Sequence, residues 1–271
     1  MRSFAVLAAV LAALLGGCAG PVTVDREQAR KELAPTGALR VAVAVSPAPS
    51  ALYAIKDPAS GRLRGVTIDL GSALAQSLGV PVEFVPYLAS GEITAAAASG
   101  VWDVTFMPVD AERKKFVDFG GPYHLLQSTY LVAPNSAIRT LADANRAGVR
   151  IAGVAGTATF RASNRTAPLA THVTVAGVDA ALALMREGKA DAIALSRESL
   201  SGLAAKLPGS RVLEGGFLNS TTAIAVPKNR PAALAYASEF IEHAKAAGDV
   251  RRAFDAIGLS ASVVAPAGMK P

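Results

Sequence analysis

The side chains able to carry chemistry in this chain are few and widely spaced. His124, His172 and His243 stand too far apart in sequence to suggest one site, and no G-x-S-x-G elbow, phosphate-binding P-loop or paired-histidine metal motif occurs. The single cysteine, Cys18, has no second thiol to join, so stability must come from an apolar core rather than a disulfide. Charge gathers only at Arg113-Lys114-Lys115. Three cations without an aromatic platform read as a solvated helix start, and the rest of the +6 net charge is scattered, which argues against nucleic acid as a partner. No carboxyl stands out as a positioned proton donor. What remains open is capture of a ligand, with no metal and no cofactor.

These groups belong to an exported chain. Met1-Arg2-Ser3 is a short basic start, and the apolar run Phe4 to Leu15 falls below the roughly 18–20 residues that span a bilayer, so residues 1–17 read as a cleaved signal peptide. Leu15-Gly16-Gly17-Cys18 resembles the lipobox of bacterial lipoproteins, whose cysteine receives a diacylglycerol. The alternative is a conventional signal in which Cys18 is one more apolar residue. Under the lipobox reading, residues 18–36, charged and poor in apolar partners, are a lipidated tether. The protein is then anchored to a membrane in the periplasm or at the cell surface. About 254 residues remain, enough for one large domain or two lobes. A composition 51% hydrophobic and 6% aromatic suits a globular α/β fold.

From Leu39 onward, β-rich runs alternate with helical ones. Strands are expected at Arg40–Val45, Val82–Tyr87, Val101–Phe106, Ser128–Ala133, Val149–Val154, Asp191–Leu195 and Thr222–Val226. Helices are expected at Ile68–Leu78, where Leu70, Leu74 and Leu78 share a face and Gly79 supplies a left-handed cap, at Ile93–Ser99, from Asp179 to Glu187, and at Pro231–Ala247 and Val250–Ile257. A helical turn fits Ala111–Phe116. This alternation predicts mostly parallel sheets, with residues 260–271 as a flexible tail.

Several ordered motifs then carry a family resemblance. Gly37-Ala38-Leu39-Arg40-Val41-Ala42-Val43, Gly65-Val66-Thr67-Ile68-Asp69-Leu70, Gly100-Val101-Trp102-Asp103, Glu112-Arg113-Lys114-Lys115-Phe116-Val117-Asp118-Phe119 with Pro122-Tyr123, Val154-Ala155-Gly156-Thr157 and Gly188-Lys189-Ala190-Asp191-Ala192 come at suitable spacing. Together they resemble the extracellular solute-binding proteins, family 3, that serve polar amino-acid ABC importers. The resemblance implies a type II periplasmic-binding-protein fold, with lobe 1 from residues 37–123 and 223–259, lobe 2 from 129–218, and a two-strand hinge. It further implies a monomer that captures a small carboxylate-bearing ligand in its cleft and delivers it to ABC permease subunits.

The same resemblance assigns the ligand groups. Arg113 matches the arginine that grips a carboxylate, a role its two parallel donors suit; otherwise it is a surface arginine. Met107 to Asp110 match the loop whose backbone and hydroxyls meet the ligand, although Pro108 lacks both a hydroxyl and an N–H. Asp110 fits better as a cap for the following turn. Gly156 and Thr157 match the second lobe's anion-binding turn, the alternative being a glycine needed only for the turn. On the ammonium side the pattern fails. Ser46 and Ser196 stand where acidic residues are expected, and Glu198 reads as a solvated helix start. The aromatic sandwich is missing, and Tyr87 and Trp102 fit core positions better. The alternatives are an accessory or sensor protein on the same fold, docking on a periplasmic dehydrogenase or signalling partner, and, less well supported, a dehydratase-type enzyme.

Overall fold

The computed structural model describes residues 25–46, 50 and 52–271; the signal-like segment and Cys18 lie outside the described residues. One mixed sheet runs through the molecule. Its strands are β1 (Leu39–Val45), β2 (Tyr53–Lys56), β3 (Leu63–Arg64), β4 (Val82–Tyr87), β5 (Val104–Pro108), β6 (Val117–Val132), β7 (Arg150–Val154), β8 (Thr171–Val175), β9 (Ala192–Ser196), β10 (Arg211–Val212), β11 (Leu218–Pro227) and β12 (Val263–Val264). The path is β3-β2-β1-β5-β11-β6-β9-β7-β8, with β4 on β1 and both β10 and β12 on β6. Pairing is parallel in the two outer parts, β1 with β2, β4 and β5, and β7 with β8 and β9. It is antiparallel in the centre, where the long strands β6 and β11 join the parts. The expectation of mostly parallel pairing therefore holds for each α/β half and fails between them, because the connecting strands cross over in opposite directions.

The helices are α1 (Arg26–Leu33), α2 (Val66–Leu78), α3 (Ser90–Ala95), α4 (Leu141–Ala144), α5 (Ala158–Thr166), α6 (Val178–Arg186), α7 (Arg197–Ala204), α8 (Pro231–Ala246) and α9 (Asp249–Ala256). Periodicity placed α2 well: Leu70, Leu74 and Leu78 are buried on one face, and Gly79 closes the helix at φ 69° as a left-handed cap. In the first half they pack with Leu39, Val41, Phe106, Ile224, Ile241 and Phe254. A second cluster, including Ala44, Trp102, Met107, Leu126, Val154 and Leu195, continues from the first half into the other.

Both ends of the described chain are docked rather than loose. Residues 26–33 are not a tether but α1, capped by Asp25 Oδ1 on the Gln28 amide at 3.0 Å. Ala29 and Leu33, one turn apart, are fully buried, and Glu32 accepts from the Ala233 amide at 2.9 Å at the start of α8. The charged residues that suggested a tether are the exposed face of this helix. The segment 260–271, expected to be flexible, adds β12 to β6 opposite Leu125 and His124. The Ala265 amide donates to Tyr123 O at 3.1 Å, and the Gly268 amide to Glu242 Oε2 at 2.9 Å.

Candidate functional site

The groups predicted to bind an anion gather where the two halves touch. From the first half comes β5, buried along its length, which ends at Pro108. Met107 faces the core, its sulfur 3.8 Å from Thr94 Oγ1, so only its backbone borders the site. Asp110 caps the turn that follows, Oδ1 accepting from the amides of Glu112 (2.9 Å) and Arg113 (3.1 Å). That turn drives Arg113 inward until it is only 1% exposed. Its guanidinium donates to Pro108 O at 3.2 Å, to Ser90 Oγ at 2.7 Å and, across the seam, to Gly156 O at 3.4 Å. Nε makes no hydrogen bond and lies 3.6 Å from Asp110 Oδ2.

From the second half, β7 leads into Gly156, whose φ of 64° lies in the left-handed region that favours glycine. A Cβ there would also sit 2.9 Å from Gly91 Cα of the other half, so the turn needs a glycine twice over. Thr157 caps α5: its hydroxyl accepts from the Phe160 amide (3.2 Å) and donates to Val154 O (2.9 Å). One turn on, Arg161 donates to Gly156 O at 3.0 Å and forms an ion pair with Asp110 across the seam.

Two guanidiniums, one from each half, thus share one carboxylate. Burial pushes the Arg113 guanidinium down to about 10, with Asp110 opposing the shift and Arg161 adding to it, so it stays protonated at neutral pH. Burial likewise raises the nearby Tyr53 phenol to about 12, which leaves it neutral. The seam is a buried site with excess positive charge. It suits an anion that can exchange carbonyl and hydroxyl partners for its own oxygens.

Arg113, Gly156 and Asp110 therefore meet, whereas the hydroxyl of Thr157 is engaged within its own helix cap. Ser46 follows β1, buried, its amide on Ala54 O at 2.9 Å. Ser196 ends β9 and caps α7, its hydroxyl 2.8 Å from Ser199 Oγ. Glu198 is neither solvated nor in the seam: its side chain is 15% exposed and Oε1 lies 2.9 Å from Nε2 of the fully buried His124. Trp102 is core, its indole N–H on Ile93 O at 3.2 Å. Sequence reasoning missed Ser90, Gly91, Tyr53 and Arg161. Only Arg161 left a signal, standing four residues after the capping Thr157 and hence over the same turn.

Two α/β halves joined by long antiparallel strands, with a charged seam between them, define a two-lobed binding protein of the type II periplasmic fold. The chain belongs to the bacterial extracellular solute-binding proteins, family 3, whose pattern it matches over residues 39–257. A glutamine-binding protein of Geobacillus stearothermophilus is 26% identical over 177 residues, 61% of this chain and 64% of that one, so the chain spans just under two thirds of that relative's length. An ABC transporter glutamine-binding protein of Bacillus subtilis (strain 168) is 25% identical over 192 residues, 67% of each chain. Among solved structures, an ancestral amino-acid-binding protein, a precursor of cyclohexadienyl dehydratase, superimposes with a TM-score of 0.73 at 30% identity, covering 84% of this chain and 98% of that one.

Proposed function

We propose that this protein is an extracytoplasmic solute-binding lipoprotein that captures a small carboxylate-bearing ligand between its halves and presents it to the permease of an ABC importer. The observation that carries this reading is Arg113, buried at the seam and bonded to both halves, with Arg161 facing it across Asp110. An anion at this seam binds the two halves to each other, and closing them strengthens its contacts by excluding water. An ammonium group has poorer prospects. Asp110 is already shared by two guanidiniums, Ser196 is engaged in a helix cap, and a buried ammonium without a counter-charge costs several kcal/mol. The relatives named for glutamine make a free amino acid the competing ligand class.

A thermal-shift panel of common amino acids against simple organic carboxylates separates the two classes. A ligand of the folded state adds about 2.7 kcal/mol of apparent stability at 100 times its Kd. Carboxylates without an α-ammonium should shift the transition, and micromolar binding of an ordinary α-amino acid would overturn the anion reading. One observation favours a second role, that of an accessory or sensor protein: Arg161–Asp110 and Arg113–Gly156 link the halves directly across the seam. Under that role no small molecule in the panel shifts the transition. The dehydratase reading has no positioned acid at the seam to support it, since Asp110 is paired.

A further inference from the structure

A cavity of about 350 Å³ lies away from the seam residues, between the start of α7 and the segment after α9. Glu198 and Ser201 line it from one side and Leu259 and Ser262 from the other, so its walls come from both halves. Its polar groups are incompletely paired. Ser262 is 6% exposed and its hydroxyl has no hydrogen-bond partner, and neither does Oε2 of Glu198, whose other oxygen faces His124. Buried oxygens of this kind ordinarily find a donor.

The fixed cations nearby are already engaged. Arg197 donates to Gln127 Oε1 and to the carbonyls of Leu213 and Gly215, and Arg251 donates to the carbonyls of Leu259 and Ser262. Neither has its guanidinium on the free carboxylate oxygen. A primary ammonium has three N–H donors and no acceptor, and its charge strengthens a bond to a carboxylate. Arg197, its guanidinium turned to its own carbonyl and amide partners, and Ser260 also line the cavity, and Ile257, Leu259 and Ala261 give it an apolar wall. The volume lies near the lower end of the roughly 300–1,000 Å³ usual for small-molecule sites, which limits the body of the ligand to a few carbons.

We propose that this cavity is a second binding site, for a small primary amine with a short apolar body, its ammonium taken up by Glu198 Oε2 and Ser262 Oγ, which lie buried just beneath the cavity wall and turn toward it on binding. The site is wired to the connecting strands. His124, on β6, places its ring between Glu198 and Thr222 of β11, with contacts of 2.9 and 3.4 Å, and β12, just after Ser262, pairs with β6 at the same histidine. An amine bound here touches both halves at their junction and biases the opening of the seam.

Calorimetric titration of the full chain with isopentylamine, against isopentanol as its neutral match, tests the site. Wild type should bind the amine and ignore the alcohol, and Arg113→Ala should keep saturable binding of the amine, its affinity moved only as far as the seam's opening is coupled to the cavity. Glu198→Gln, which keeps an acceptor for His124, should lose about tenfold or more in affinity. Ser201→Phe, a change at the exposed rim, should fill the cavity and abolish binding. The proposal is overturned by equal binding of alcohol and amine, by affinity unchanged in Glu198→Gln or Ser201→Phe, by loss of binding in Arg113→Ala, which would move the amine to the seam, or by no saturable binding to wild type.

Discussion

Replacing Gly91 by alanine should separate stability from closure. Gly91 lies in α3, a right-handed helix where alanine is the better residue by up to about 0.5–1 kcal/mol. Its Cβ, however, would sit 2.5 Å from Ala155 O and 2.8 Å from Gly156 Cα, both backbone atoms of the opposite half. Relaxing those contacts toward the roughly 3.5–4.0 Å of an ordinary carbon contact parts the halves by about 1 Å. The bond from Arg113 to Gly156 O, already 3.4 Å long, cannot survive that movement. A charge-assisted hydrogen bond is worth about 1.5–3 kcal/mol, so the closed form should lose about tenfold to hundredfold in population. Nitroxide labels at Lys56 and Leu169, in a Cys18→Ala background, report the separation by pulsed electron resonance. Gly91→Ala should shift the distances longer while the melting temperature holds or rises. An unchanged distance distribution would refute the argument, and a fall in melting temperature would show that Gly91 serves the folding of the first half instead.

Three other outcomes follow from the same structure. Arg113→Ala should cost about 2–5 kcal/mol in binding of whichever carboxylate the panel finds, by calorimetry, while circular dichroism shows the fold intact; near-unchanged affinity would make Arg113 structural. Cys18→Ala should release the protein from membranes in fractionation, and a variant that stays bound after a high-salt wash would end the lipid-anchor reading. Burial is the largest influence and acts to raise the Glu198 carboxyl, but the hydrogen bond and charge interaction with His124, together with the Glu198 amide and the Ser196 hydroxyl, outweigh it and hold the group below its ordinary value of 4.5. Its stabilising contribution is then complete above that value and is lost as pH falls through the lower folded value. Melting temperature measured from about pH 6 to pH 3 should accordingly fall less steeply in Glu198→Gln than in wild type.

The parts that sequence reasoning found are those governed by local rules. The leucine stripe and Gly79 placed α2, the strand expected at Val101–Phe106 overlaps β5, which starts at Val104 and runs on to Pro108, and Asp110 announced a cap that the structure shows bonded to two amides. What it missed depends on approach between distant segments. Nothing in Ser90-Gly91 reveals that a backbone from the other half passes within reach, and His124 and Glu198, 74 residues apart, become partners only because β6 runs beside α7. The strand β6 itself was read as a short piece, Ser128–Ala133, because its earlier half holds Gly120, Gly121 and Pro122, residues that ordinarily mark a turn. Tertiary pairing with β11 on one edge overrides that preference.

The order of the chain sets when each half can be finished. The core of the first half takes Ile224 and Val226 from β11, Ala233 and Ile241 from α8, and Phe254 from α9. All of these emerge last, after the whole second half has been made. A nascent chain that has reached Ser210 therefore carries β1, β4 and β5 with no complete core to bury them, since β11, the neighbour that joins β5 to β6, is still missing. The native pairings that close this half span more than a hundred residues and cannot form early. This arrangement delays the fold until the last helix has been synthesised, which would keep the chain open for any export step that requires an unfolded substrate.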